Sequence, residues 1–399
     1  MKFHRFNPHG CGFPKPKLSP LPNLPSFPSG RGHPAKDLSS WHSRHFRHFS
    51  RGRYALGAAC RLAGVTRQTI YLAPAYHCVT MIDPALALSA TVCLYRLKAD
   101  LSPDIEHLHE LVANAEQPVK AVLATHYFGL IQDFKSLAEF CRARQILLIE
   151  DCSHVLFTEN FQAPGSGIHG DLVIASPYKF FSCADGGLLY SREESRLDSV
   201  HTENPSFLDE LVGIKHTYEK SRWGTSTDRI PDIDSLLDSL ASTRLAAGKD
   251  LLEERQAPSD FYSINLQNRS SLRYSRLMVR QSSPIENARK RQQNFTLWTS
   301  AIAQTPNCRA VFSQLPQDSI PYMFPVYIDR PYPDFYRLKH LGVPIWRWDE
   351  MGASSCAISE GCRLHLLHLP CHQALTSEQL AWMTTTFNKA MHLTTKGNQ

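Results

Sequence analysis

Between residues 53 and 191 short apolar runs alternate with amphipathic stretches, and this alternation restricts the fold more than any other feature of the chain. The segments "TIYLAP" (69–74), "TVCLYRL" (91–97), "KAVLATHYFG" (120–129), "ILLIED" (146–151), "DLVIAS" (171–176) and "GGLLYS" (186–191) read as strands. "RYALGAACRLAG" (53–64) reads as a helix ended by Gly64. "YHCVTMIDPALALSA" (76–90) reads as a helical crossover interrupted at Pro84, and "DIEHLHELVANA" (104–115) and "DFKSLAEFCRARQ" (133–145) read as helices. Apolar strands separated by such helices predict an α/β fold, with a parallel-rich sheet covered on both faces. Ligands on sheets of this kind bind beyond the carboxyl ends of the strands.

A chain of 399 residues is long enough for a large domain and a smaller one. The expected division is an arm at 1–45, a large domain at 46–255 and a small C-terminal α/β domain at 256–399. In the small domain, 273–303 contains a long helix, and "YMFPVYI" (322–328) and "RLHLLHLP" (363–370) read as strands. The net charge of +6 belongs to the arm. Residues 1–51 hold nine Lys/Arg and one acid, +8, which leaves 6 − 8 = −2 for the rest. That segment has eight prolines and six histidines, so no long helix or central strand is expected there, and residues 1–40 read as an extended arm packed on the body, partly disordered. A solvated or subunit-hugging arm is favoured over one that binds nucleic acid. No apolar run reaches membrane-spanning length, so membrane insertion is not expected. Eleven scattered cysteines and no secretory h-region suit a cytoplasmic protein with free thiols.

The strand ends carry chemistry. Gly52 and Arg53 open the first helix, Tyr76 and His77 follow a strand, and Asp151 ends the buried "ILLIED" with His154 three residues on. Ser176 ends "DLVIAS", and Lys179 follows it within "SPYKFFSCADGG" (176–187). An anion at the start of helix 53–64 would meet free N–H groups and the positive end of the helix dipole. A carboxylate at the end of an apolar strand is costly unless it meets a cation. An anion site, a buried carboxylate, an aromatic platform and a lysine together suit pyridoxal 5′-phosphate (PLP), which needs one of each. Each residue also has a plainer reading. Lys179 could snorkel its charge to the surface, Asp151 could cap a turn, and His154 could be a satisfied loop histidine. Tyr76 and His77 could belong to the core or its rim.

"RGRYAL" (51–56), "APAYHCVTMIDPAL" (73–86), "THYFGLIQDF" (125–134), "IEDCSHVL" (149–156), "SPYKFFSCADGGLLY" (176–190) and "LHLPCHQALTSEQL" (367–380) occur in the order and spacing of a known family. The chain resembles the DegT/DnrJ/StrS sugar aminotransferases, a fold-type I PLP group, over roughly residues 45–390. The resemblance implies that Lys179 forms the imine with the cofactor and moves the proton between the substrate carbon and C4′. It pairs Asp151 with the pyridine nitrogen and His154 with the ring hydroxyl. It places the phosphate on Gly52, Arg53 and Ser176, and the ring against Tyr76 or His77. The implied reaction moves an amino group from a glutamate-like donor to a keto sugar, expected to be nucleotide-linked, in polysaccharide or secondary-metabolite biosynthesis. A homodimer is implied as well.

The chain departs from the family pattern at several points. Ile174 stands where a serine is usual, Cys78 where the stacking aromatic is usual, and Asp185 where glutamate is common. An Asn-Tyr-Arg segment that the family uses across its dimer is not recognisable within 200–290. Two other readings remain: a different PLP chemistry, such as a lyase or dehydratase, and an inactive binding or scaffold protein on the same fold. Dehydratase relatives carry histidine in place of the lysine, which Lys179 argues against. Trp346, Arg347 and Trp348 are expected at the pocket mouth, with Arg347 a candidate for a substrate phosphate or carboxylate. Cys362, His365, His368 and Cys371 are zinc-ligand types, but their spacing of three converges on neither a strand nor a helix broken by Pro370.

Overall fold

The computed structural model describes residues 1–24, 45–223, 233–241, 245–316 and 318–393. After β1 (Lys2–Asn7) come β2 (Phe46–Phe49), α1 (Gly52–Leu62), β3 (Ile70–Pro74), β4 (Thr91–Tyr95), β5 (Val119–Thr125), β6 (Leu147–Cys152), β7 (Leu172–Ala175) and β8 (Gly187–Ser191). Strands β2 to β8 form one sheet in the order β2–β8–β7–β6–β5–β3–β4. Strands β3 to β7 are parallel, while β8 runs antiparallel to both β7 and β2. Period-2 alternation sorts the strand residues onto two faces. Leu72, Val122, Leu148 and Val173 pack in one core, and Tyr71, Leu123, Ile149 and Ile174 in the other. Both faces are buried, as a parallel sheet requires.

The crossover after β3 is shorter than its sequence suggests. It contains one helical turn at Val79–Met81 and a helix at Asp83–Ala87, with Pro84 in the first turn, where its missing N–H costs nothing. Beyond the sheet lie α2 (Phe207–Ser221), β9 (Lys249–Glu254), α3 (Arg273–Gln281), α4 (Pro284–Ile302), β10 (Met323–Ile328) and β11 (Leu366–Pro370). The expected long helix within 273–303 is two helices. Ser283 ends the interruption by accepting a hydrogen bond from the Glu286 N–H, and Pro284 starts α4. The expected strand 363–370 begins as helix, since Ala357–His365 runs directly into β11. Cys362 and His365 are therefore helical while His368 is in the strand, and His365 Nδ1 bonds the Ile328 carbonyl.

The N-terminal segment departs most from expectation. β1 is the central strand of a three-stranded sheet, between β9 and Met351–Gly352. Residues 2–7 contain no proline, and the proline-rich composition that argued against a strand starts only at Pro8. Arg5 pairs with Glu253 of β9, and His4 with Glu360. Part of the basic tail thus meets acidic groups of the same chain. Residues 8–24 also pack on the body, where the Lys17 N–H donates to the Gly342 carbonyl and Trp223 Nε1 donates to the Pro16 carbonyl, and residues 25–44 of the expected arm lie outside the described residues. No helix among the described residues is long and apolar enough to cross a membrane. All eleven cysteines are free thiols.

Candidate active site

The parallel register brings the strand ends together. Asp151 on β6 lies opposite Ile174 of β7, so Ser176 follows two positions beyond it. The chain then makes a single tight turn, Pro177–Lys179, with the Lys179 N–H donating to the Ser176 carbonyl. A buried arginine holds that turn. Arg291 of α4 donates to the carbonyls of Lys179, Pro321 and Tyr322 and to Gln373 Oε1, while Gln373 donates to the Phe180 carbonyl. The second glycine of the pair after the lysine is also explained. A Cβ on Gly187 would lie 2.3 Å from the Arg51 carbonyl group, so β8 can approach the start of α1 only as glycine.

Gly52, Arg53, Cys78, Asp151, Ser153, His154, Ser176 and Lys179 line one pocket. Asp151 is buried, and the Ser153 N–H donates to its Oδ1 at 2.8 Å. Burial pushes its carboxyl above the usual range, and the nearby Lys179 charge only partly counters this. The Lys179 ammonium stands 5.4 Å from the Tyr322 ring centre. Burial, reinforced by Lys179, holds His154 neutral, well below its ordinary value. The Phe128 N–H points at His154 Nδ1 at 3.4 Å, which leaves Nε2 as the proton-bearing nitrogen.

Helix α1 begins with no side-chain cap and no acid in its first turn. The Ser176 hydroxyl donates to that of Ser153 at 3.1 Å beside it. A Cβ on Gly52 would lie 2.1 Å from Ser176 Oγ and 3.3 Å from Ser153 Oγ, so only glycine leaves this cup open. An uncapped helix start flanked by two hydroxyls is suited to a phosphate. A net-destabilised buried carboxylate is suited to a pyridinium, and a lysine lining the same pocket to an aldehyde. The donor set therefore fits PLP. The Arg53 side chain turns to the rim, where it donates to the Phe261 carbonyl.

The aromatic platform is not where the sequence placed it. Tyr76 is fully buried and shares a 2.9 Å hydrogen bond with His368 Nε2. His77 is fully buried too. Its Nδ1 donates to the Pro74 and Ala75 carbonyls, its Nε2 accepts from the Gly352 N–H, and burial lowers it to about 4. Neither side chain lines the pocket. Both serve packing, because each finds its polar partners away from the pocket. Arg347 also turns inward, to Asp349 and the Leu364 carbonyl, with its guanidinium 3.8 Å from the Phe335 ring centre. Trp346 and Trp348 do line the pocket. Sequence reasoning missed Ser153 and Tyr322. Ser153 sits inside the quoted "EDCSH", and two hydroxyls beside one helix start were a usable signal. Tyr322 arrives from the C-terminal half of the chain and no local pattern marks it.

Residues 40–387 match the model of the DegT/DnrJ/EryC1/StrS aminotransferase family. The curated dTDP-4-dehydro-2,3,6-trideoxy-D-glucose 4-aminotransferase of Saccharopolyspora spinosa is 25% identical over 288 residues, which are 70% of this chain and 68% of that protein. The structure of DesI in the presence of its TDP-sugar product is similar with a TM-score of 0.63 at 13% identity, covering 95% of this chain and 94% of DesI. NtdA of Bacillus subtilis, with bound cofactor PMP, gives a TM-score of 0.56 at 14% identity, covering 87% and 73%. At these identities the two structures share the fold. The family match spans the seven-stranded sheet, the pocket and nearly all of the C-terminal half, and the chain belongs to the DegT/DnrJ/EryC1/StrS family of PLP-dependent aminotransferases.

Proposed function

We propose that this chain transfers an amino group from a glutamate-like donor to a keto sugar carried on a nucleotide, using PLP. The observation that carries this is the meeting of Lys179, Asp151 and the open cup at Gly52 in one pocket at the carboxyl edge of the sheet. When bound, the cofactor supplies an electrophilic carbon and a ring that withdraws electrons from the substrate carbon. The first-turn N–H groups of α1 and the Ser153 and Ser176 hydroxyls would hold the phosphate. Asp151 would keep a proton on the ring nitrogen, and His154 would donate from Nε2 to the ring oxygen. Lys179 would hold the aldehyde and serve as the base and acid that moves the substrate-carbon proton. The sugar class is supported by the named activity of the Saccharopolyspora relative and by DesI with its TDP-sugar product. Polysaccharide or secondary-metabolite biosynthesis is the setting proposed. Eleven free thiols support a reducing, cytoplasmic one.

The test is borohydride reduction of the purified protein after PLP addition, followed by peptide mass analysis, beside Lys179→Ala. The wild type should show a visible absorbance band and a cofactor mass fixed to Lys179, both absent from the variant. Adding glutamate should discharge the band. A wild-type protein that takes up no PLP would overturn the reading.

The proposed assembly is a homodimer, with α2 in its interface. Phe207 and Leu208 on this helix are 75% and 71% exposed, and Leu211, Val212 and Tyr218 are exposed beside them. Apolar side chains at this density on one helix imply a partner surface. Val212 also lines a cleft that shares Arg51 and Arg53 with the active pocket, so a second copy on α2 would border the site. Leu208→Asp with Val212→Asp is expected to halve the mass measured by light scattering. A monomeric wild type would reject the assignment.

A further inference from the structure

The family resemblance puts the ring-facing aromatic at position 78, where this chain has a cysteine, and both neighbouring candidates are turned away from the pocket. Six other rings line it: His154, Tyr178, Phe261, Tyr322, Trp346 and Trp348. His154 has the cofactor-edge role above. Tyr178 lies beneath the Arg51 guanidinium, 4.6 Å from it, and Phe261 is an exposed rim residue beside Arg53. Tyr322 is buried against His154 at 4.4 Å, on the Lys179 side. Trp346 is a backbone partner of His368.

Trp348 differs from these. Its indole is 4.7 Å from the Tyr76 ring, 5.6 Å from His154 and 5.4 Å from His368. It packs against these three buried rings and remains only half-buried, with a surface on the same pocket as Cys78. We propose that Trp348 is the aromatic wall for the cofactor ring, taking the place that Cys78 leaves empty. This rests on the PLP reading above. The consequence is that the ring is held between the large domain, through Asp151 and His154, and a segment from the C-terminal half of the chain. An indole braced by other rings is held in place before the cofactor arrives, so little ordering cost opposes binding.

The test is PLP titration by absorbance and by dichroism of the cofactor band, on wild type, Trp348→Phe, Trp348→Leu and Trp348→Leu/Cys78→Phe. Leucine keeps apolar bulk without a π face and should weaken PLP binding about tenfold, whereas phenylalanine should stay within about threefold. The added Cys78→Phe ring should recover most of the loss. Trp348→Phe keeps a ring in the core, and it should also quench less indole emission on PLP addition than wild type does. A Trp348→Leu variant with wild-type affinity and dichroism, or a Trp348→Phe variant quenched as strongly as wild type, overturns the proposal. Failure of the wild type to bind PLP instead overturns the cofactor reading, and this one with it.

Discussion

Acidifying the cofactor-free protein from about pH 7 to about pH 5 is expected to remove about 6 kcal/mol of stability, on the order of the whole stability of a typical domain. Three buried histidines carry this. Burial lowers His77 to about 4, and His368 and His372 to about 3, from an ordinary value of 6.5. Each has a depressed folded value, so the unfolded chain takes up a proton first as the pH falls below 6.5. Stability is then lost progressively from 6.5 down toward each folded value. At about pH 5 each imidazole is 1.5 units below the unfolded value, roughly 2 kcal/mol apiece. His154 adds to the same trend. Buried Asp151 and Asp185 oppose it, because their raised values favour the folded form as they protonate. Melting temperature should fall steeply between pH 6.5 and 5, and His77→Gln should reduce the slope by about a third. A melting temperature constant over that interval would show that these rings are not held neutral by the fold.

The same histidines show where the sequence was informative. The sheet was legible because β3, β5, β6 and β7 are apolar runs between amphipathic segments, and both faces of a parallel sheet must be buried. The positions of Asp151, Ser176 and Lys179 followed, since each lies at or just past a strand end. Side-chain direction did not follow. Tyr76 and His77 occupy the right loop, but His77 is claimed by the carbonyls of Pro74 and Ala75 and by the Gly352 N–H, and Gly352 is 275 residues away. Tyr76 is claimed by His368, 292 residues away. β1 was hidden for a related reason. Its partners are β9 and Met351–Gly352, and an averaged tail composition conceals six residues without proline. Local pattern set the strands and their ends, and long-range hydrogen bonds decided which rings remained free for the pocket.

Asp151→Asn is expected to raise the melting temperature of the cofactor-free protein while lowering transamination by about two to three orders of magnitude. The net upward shift of this carboxyl means that burial outweighs the help of Ser153 and Lys179. At neutral pH the ionised form is therefore a standing cost of the empty site. An amide keeps an oxygen for the Ser153 N–H and carries no charge, so the substitution removes that cost. It also removes the anion that would hold a proton on the ring nitrogen, and with it the increase in melting temperature that added PLP should give the wild type. The acid profile supplies an independent check. A group with a raised folded value gains stability for the fold as pH drops, so losing Asp151 should make the histidine-driven decline steeper. A variant that is less stable than wild type without PLP, or that keeps the PLP-induced rise in melting temperature, would mean that Asp151 is satisfied by the protein alone. The pocket would then have no unmet charge to offer a cofactor.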